Sequence, residues 1–221
     1  MHRTHRAIRG PGFALLVVFV VGLGPSDSDP KAAMMDDKSR AAVEAWLSRI
    51  MEHEPVKIVP KVEPVESEAI GRAFPAHNFY GVRFPRYPRA IKPPRTLRLE
   101  NVVCVRPDET LEPVVDLDSL KGFLAKNLPA VDTEERAREA LLASLRLAEE
   151  CKQDGHYRFT VPEGSISVVR KGERLIASAT ATVSAGGRGE VSATLRFGRD
   201  GHVKADEIEI DAKIRPDVRP R

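Results

Sequence analysis

Three stretches decide the fold: "TEERAREALLASLRLAEECK" (Thr133–Lys152), "RLIASATATVS" (Arg174–Ser184) and "EVSATLRF" (Glu190–Phe197). In the first, Ala137, Leu141, Ser144, Leu145, Ala148 and Cys151 recur at steps of three and four, so they line one face of a helix. Asp132 is the expected N-cap, with Glu135 reaching back as in a capping box. Asp154-Gly155 is expected to end the helix and open a turn. The second stretch alternates. Leu175, Ala177, Ala179, Ala181 and Val183 fall on one face, and Ser178, Thr180, Thr182 and Ser184 on the other. The third places Val191, Ala193, Leu195 and Phe197 on a common face. Three consecutive inward alanines leave room for a helix carrying Leu141 and Leu145 to approach closely.

Five strands are expected here: Tyr157–Val161, Ile166–Arg170, Leu175–Ser184, Glu190–Gly198 and His202–Ile210. Their short connections demand antiparallel neighbours. A slip of phase between Ala205 and Ile208 predicts a bulge in the last one. The expected class is therefore α+β, an amphipathic helix packed on an antiparallel meander sheet of about five strands.

Working outward, Asp36–His53 reads as a helix with the apolar stripe Ala42, Val43, Trp46, Leu47, Ile50 and Met51. Asp36 or Asp37 would cap it, Pro55 would close it, and Trp46 reads as core. Pro55, Pro60 and Pro64 give the next segment an extended or edge path rather than a central strand. Glu66–Ala73 suggests a helical turn, and "NFYGVRF" (Asn78–Phe84) a strand. Thr96–Arg106 and Leu111–Val115 pair as a hairpin around Pro107-Asp108-Glu109-Thr110. Asp118 or Asp116 then caps the helix "LDSLKGFLAKNL", which carries Leu120, Phe123, Leu124 and Leu128 and ends at Pro129.

The N-terminus has a basic region with Arg3, Arg6 and Arg9, the apolar run "FALLVVFVVGL" (Phe13–Leu23), and then "GPSDSDP". That order is a secretory signal peptide, with cleavage expected after Ser26 or Ser28. The apolar run is shorter than the roughly 20 residues of a spanning helix, and an uncleaved anchor is the alternative. The expected organisation is 1–26 signal peptide, 27–35 disordered linker, and 36–131 as the N-terminal helix, Pro-rich arm and hairpin. Helix plus sheet follow at 132–212, and a tail at 213–221. The formal charge of +3 includes the three arginines of the leader; without them 32 basic and 32 acidic side chains remain. A neutral chain has no general field for nucleic acid or anionic lipid. The expected location is secreted or periplasmic.

The arm Phe74–Arg98 carries five of the twelve aromatics within fourteen residues, interleaved with arginines and stiffened by prolines. Aromatics among cations can stack on and grip a partner, which makes Phe79, Tyr80, Arg83, Arg86, Tyr87 and Arg89 the candidate binding residues. The competing reading is a proline-kinked strand whose aromatics fill the core while the arginines reach outward. In an oxidising compartment Cys104 and Cys151 can form a disulfide; two small buried thiols are the other open reading. No catalytic signature, phosphate loop or metal-ligand spacing stands out, and no cofactor is expected. The Asp-Gly-His repeats at Asp154–His156 and Asp200–His202 fall on well-separated strands of a meander, so no metal site is assigned. A Cys104–His77 nucleophile pair lacks a visible orienting group. Glu52, Glu54, Glu149 and Glu150 read as solvated helix-surface acids.

One helix across an antiparallel sheet resembles the cystatin-like and nuclear-transport-factor-like α+β folds. The segment "TEERAREALLASLRLAEE" before its hairpins resembles PepSY-type exported domains. With "AFPAHNFYGVRFPRYP" (Ala73–Pro88) and "VVCVRPDETLEPVVDLDSL" (Val102–Leu120), the chain resembles uncharacterised secreted proteins of planctomycete-type bacteria. These resemblances imply an architecture and no activity. The leading expectation is an exported, non-enzymatic module that binds a protein or envelope component. Its contact would be the Phe79–Arg98 arm or the sheet face bearing Ser178, Thr180, Thr182 and Arg196. Changing Arg83, Arg86 and Arg89 to Glu should then abolish capture at unchanged melting temperature. The alternative is a small-molecule binder or hydrolase with a pocket between helix and sheet. Neither nucleic acid nor, beyond the leader, a membrane is an expected partner.

Overall fold

Helix α4 (Glu134–Glu150) lies at the centre of the molecule, which is known here from a computed structural model. The structure describes residues 30–54, 58–85, 93–151 and 157–216. The face read from the sequence is buried along its length: Ala137, Leu141, Ser144, Leu145, Ala148 and Cys151. Ala140, Ala143 and Leu147 are buried as well, so α4 has a second apolar side. Its cap is Thr133, whose Oγ1 accepts the Arg136 amide at 3.2 Å. Asp132, the expected cap, instead pairs with the Arg136 guanidinium at 3.2 Å.

One side of α4 faces the expected antiparallel sheet. Its strands are β5 (Arg158–Thr160), β6 (Ser167–Lys171), β7 (Arg174–Ala185), β8 (Gly187–Phe197) and β9 (Val203–Pro216). The three inward alanines of β7 are buried beneath α4, beside Leu175, Val191, Ala193, Leu195 and Phe197. Burying each such leucine stabilises the fold by about 1.5–3 kcal/mol. The strand order differs from a simple meander. β7 is long enough for two short strands to lie end to end along one edge, β6 against Arg174–Ser178 and β5 against Thr182–Ala185. A 3₁₀ turn at Glu163–Ser165 joins them. The bulge is where the phase slip put it: Leu195 faces Ile208, whereas Phe197 faces Val203.

The other side of α4 faces another sheet, the first in chain order, which the sequence patterns do not assemble. The strands β1 (Lys61–Pro64), β2 (Asn78–Arg83), β3 (Glu100–Val105) and β4 (Leu111–Val114) pair antiparallel in sequence order. Every residue of β3 is buried, because both faces of this sheet are covered. Phe79, Val102, Cys104 and Val114 join the core around α4. So do residues of α2 (Glu68–Ala73) and α3 (Leu117–Asn127). Asp116 caps α3 in a reciprocal box with Ser119 at 2.8 Å. On the opposite face Tyr80, Val82, Val103 and Val105 pack under Val43, Leu47 and Met51 of α1 (Pro30–Met51). Helix α1 starts at Pro30, a favoured first helical residue. Residues 30–35 of the segment read as a disordered linker are therefore helical, and Asp36 and Asp37 lie inside the helix rather than capping it. The layers run α1, first sheet, α2–α4, second sheet.

The Asp200-Gly201 turn has a structural task. Gly201 sits at φ +77°, and a Cβ there would lie 2.7 Å from the Val131 carbonyl oxygen. The close approach lets the Val131 amide donate to Gly201 O at 2.9 Å, pinning the α3–α4 connection to the sheet.

Candidate ligand groove

β1 is an edge strand, and its prolines determine what that edge offers. The Val65 amide donates to Phe79 O at 2.8 Å, continuing a register that pairs Lys61 with Arg83 and Glu63 with Gly81. In an antiparallel ladder the alternate residues point away. Pro60, Val62 and Pro64 therefore face the open edge, and Val62 carries the one N–H among them. This edge is blunted against strand addition.

Alongside this edge the segment Ile58–Pro60 returns from α1 and leaves a cavity of about 650 Å³. Leu47, Met51, Ile58, Val59, Pro60 and Val62 form its apolar wall, and Glu44, Ser48 and Glu52 its rim. Val59 is 86% exposed, although its neighbours Ile58 and Val62 are buried. The hollow continues into a second one of about 730 Å³, with which it shares Glu44, Val59, Pro60 and Val62. The second hollow is polar and holds Arg40, Lys61, Arg83, Arg146 and Arg158. Together they make one groove with an apolar end and a cationic end.

The floor of the cationic end is an ion-pair network. Glu149 and Glu150 close α4 and are buried, which corrects the expectation that they are solvated. Carboxylates at a helix C-terminus meet the negative end of the dipole, so they need cations. Arg146 pairs with Glu149 at 3.0 Å and Glu150 at 2.6 Å. Arg83 pairs with Glu150 and, at 2.7 Å, with Glu63 of β1. Arg158 lies 3.5 Å from Glu149, which also accepts the Phe159 amide at 2.9 Å. The hydrogen bond from Lys61, aided by Arg83, holds the Glu63 carboxyl below its usual range. Gly81 leaves space for this network: a Cβ there would stand 3.3 Å from Glu150 Oε2. The cluster ties β1 and β2 of one sheet to β5 of the other through the end of α4.

The candidate residues separate accordingly. Phe79 and Tyr80 point to opposite faces of β2 and are both buried. Phe79 meets Phe74 and Phe123 at ring distances of 5.4 and 5.7 Å. These aromatics fill the cores and offer no surface to a partner. Arg83 reaches the groove, but as a member of the network. Arg86, Tyr87 and Arg89 lie outside the described residues, as do residues 1–29 and His156. On the second sheet's outer face Arg196 is held by Glu209 in two contacts of 2.8 and 3.1 Å. Cys104 and Cys151 are both buried and unbridged. Burial, with Glu112 nearby, pushes the Cys104 thiol up to about 12, so it stays protonated and is no nucleophile at neutral pH. Cys151 is pushed up further by burial and places its thiol 3.8 Å from Val114 O.

Sequence reasoning missed Glu149, Glu150, Arg146 and Arg158, because charged side chains on a helix are solvated by default. The signal was there in part: "LRLAEECK" ends a helix with two acids, where cations are preferred. Comparison of the chain with family models, with curated proteins and with solved structures finds no match.

Proposed function

We propose that the protein is an exported, non-enzymatic binding module whose contact surface is the α1–β1 groove. The leader-like N-terminus supports export, since a basic region, a short apolar run and small residues follow in the order of a signal peptide. The observation that carries the binding role is the position of Val59. A large aliphatic side chain, 86% exposed, stands at the junction of an apolar hollow and a cationic one. An isolated exposed valine on a convex surface needs no explanation, but one that joins two concave surfaces is placed to touch a ligand. The pocket envisaged between helix and sheet is a weaker candidate, because α4 occupies the space over the inward alanines.

The test is site-specific photo-cross-linking in the producing cell. A photoreactive amino acid at Val59 should capture an envelope component, whereas the same group at Thr180, on the outer sheet face, should not. Capture at Thr180 and none at Val59 would move the contact to the sheet and overturn the assignment.

A further inference from the structure

We infer that the occupant of the groove is a single aliphatic chain bearing one negative charge, a long-chain carboxylate. This rests on the reading of the groove as the contact surface, and three observations carry it. First, the cavity of about 650 Å³ falls within the range of small-molecule sites, roughly 300–1,000 Å³. Its apolar wall is aliphatic, with no aromatic among the described lining residues, so it suits a flexible chain better than a flat ring. Second, the edge beside it rejects a peptide strand. Pro60 and Pro64 remove two of three outward donors, and an added strand would find only the Val62 amide. An alkyl chain needs no ladder and loses nothing there. Third, the polar hollow offers two accessible cations. Arg83 and Arg146 hold the buried Glu150, whereas Arg40, paired at 3.0 Å with the exposed Glu44, and Arg158, 3.5 Å from Glu149, are about half exposed, at 50% and 54%, and can turn to a head group. A chain lying along Leu47, Met51 and Val59 would deliver its carboxylate to that end.

The experiment titrates the full chain with a fluorescent polyene fatty acid, and in parallel competes it with the saturated acid and the matching fatty alcohol. Wild type should bind saturably and prefer the acid to the alcohol. Val59→Glu, at an exposed position that leaves the fold intact, should weaken binding by about tenfold or more. Arg40→Gln with Arg158→Gln should abolish the preference for acid over alcohol while the alcohol still competes. Thermal unfolding of each variant confirms that the fold is retained. Absence of saturable binding to wild type, or binding unchanged in Val59→Glu, overturns the proposal. Should the acid fail to bind while the photoreactive group at Val59 captures a protein, the occupant is wrong and the groove assignment stands. If both experiments are negative, both fall.

Discussion

Removing Arg83 tests the network under the groove. Arg83→Met keeps the aliphatic stem and deletes the guanidinium that joins Glu63 to Glu150. The Glu150 side chain is 4% exposed, so it cannot recover its solvation. Breaking a fully buried pair costs about 3–5 kcal/mol. Here the cost is lower for two reasons: Arg146 stays 2.6 Å from Glu150, and Arg83 is itself 26% exposed. About 2 kcal/mol is expected, which lowers the melting temperature by roughly 4–8 °C for a domain of this size. The decisive form is a double-mutant cycle in urea with Glu150→Met. The double variant should be more stable than the two single costs added together predict, with a coupling of about 1–2 kcal/mol. A single variant within about 0.5 kcal/mol of wild type, or strict additivity in the cycle, would refute the network. The same reasoning replaces the expectation that Arg83→Glu leaves stability unchanged, because a carboxylate there would face Glu63 and Glu150.

Three further outcomes follow from particular contacts. Gly201→Ala places a Cβ in a left-handed conformation 2.7 Å from Val131 O, so it should cost at least about 1–2 kcal/mol in urea unfolding; a change under about 0.5 kcal/mol would deny the close approach. Burial, reinforced by the Arg106 cation, holds His77 below its ordinary value, so the unfolded chain takes up its proton more readily than the folded one. That contribution is whole above about pH 6.5 and is lost as pH falls through the lowered value; His77→Phe should flatten the stability profile there, and an unaltered slope would count against it. Both thiols should resist a thiol reagent in the native protein and titrate fully in denaturant, whereas a bridge would leave none to titrate without reductant.

The second sheet and its helix were legible because their periods are strong and local. Alternation in β7 and β8, and steps of three and four in α4, name the same residues that the structure buries. The other side of α4 was less legible, since Ala140 and Ala143 are as compatible with a surface as with a core. Four edge-paired strands separated by a helix, two turns and an arm could be recognised singly, yet nothing local in β1 or β3 says that they share a sheet. Prolines 60 and 64 did announce an edge, and they proved to occupy outward positions. Of the two readings of the arm, Phe79 and Tyr80 follow the core-filling one: consecutive aromatics in a strand point to opposite faces, so they supply two cores. The groove arises from the return of the chain beside α1 and the meeting of α4, β2 and β5. Residues that distant in sequence give no pattern in a single chain.

A native mass spectrum of the protein purified gently from the cells that produce it, taken beside that of Val59→Glu, tests the central claim most directly. The groove account predicts a retained small mass on wild type that disappears in the variant. A mass retained equally by both, or a bare chain in both, would contradict it.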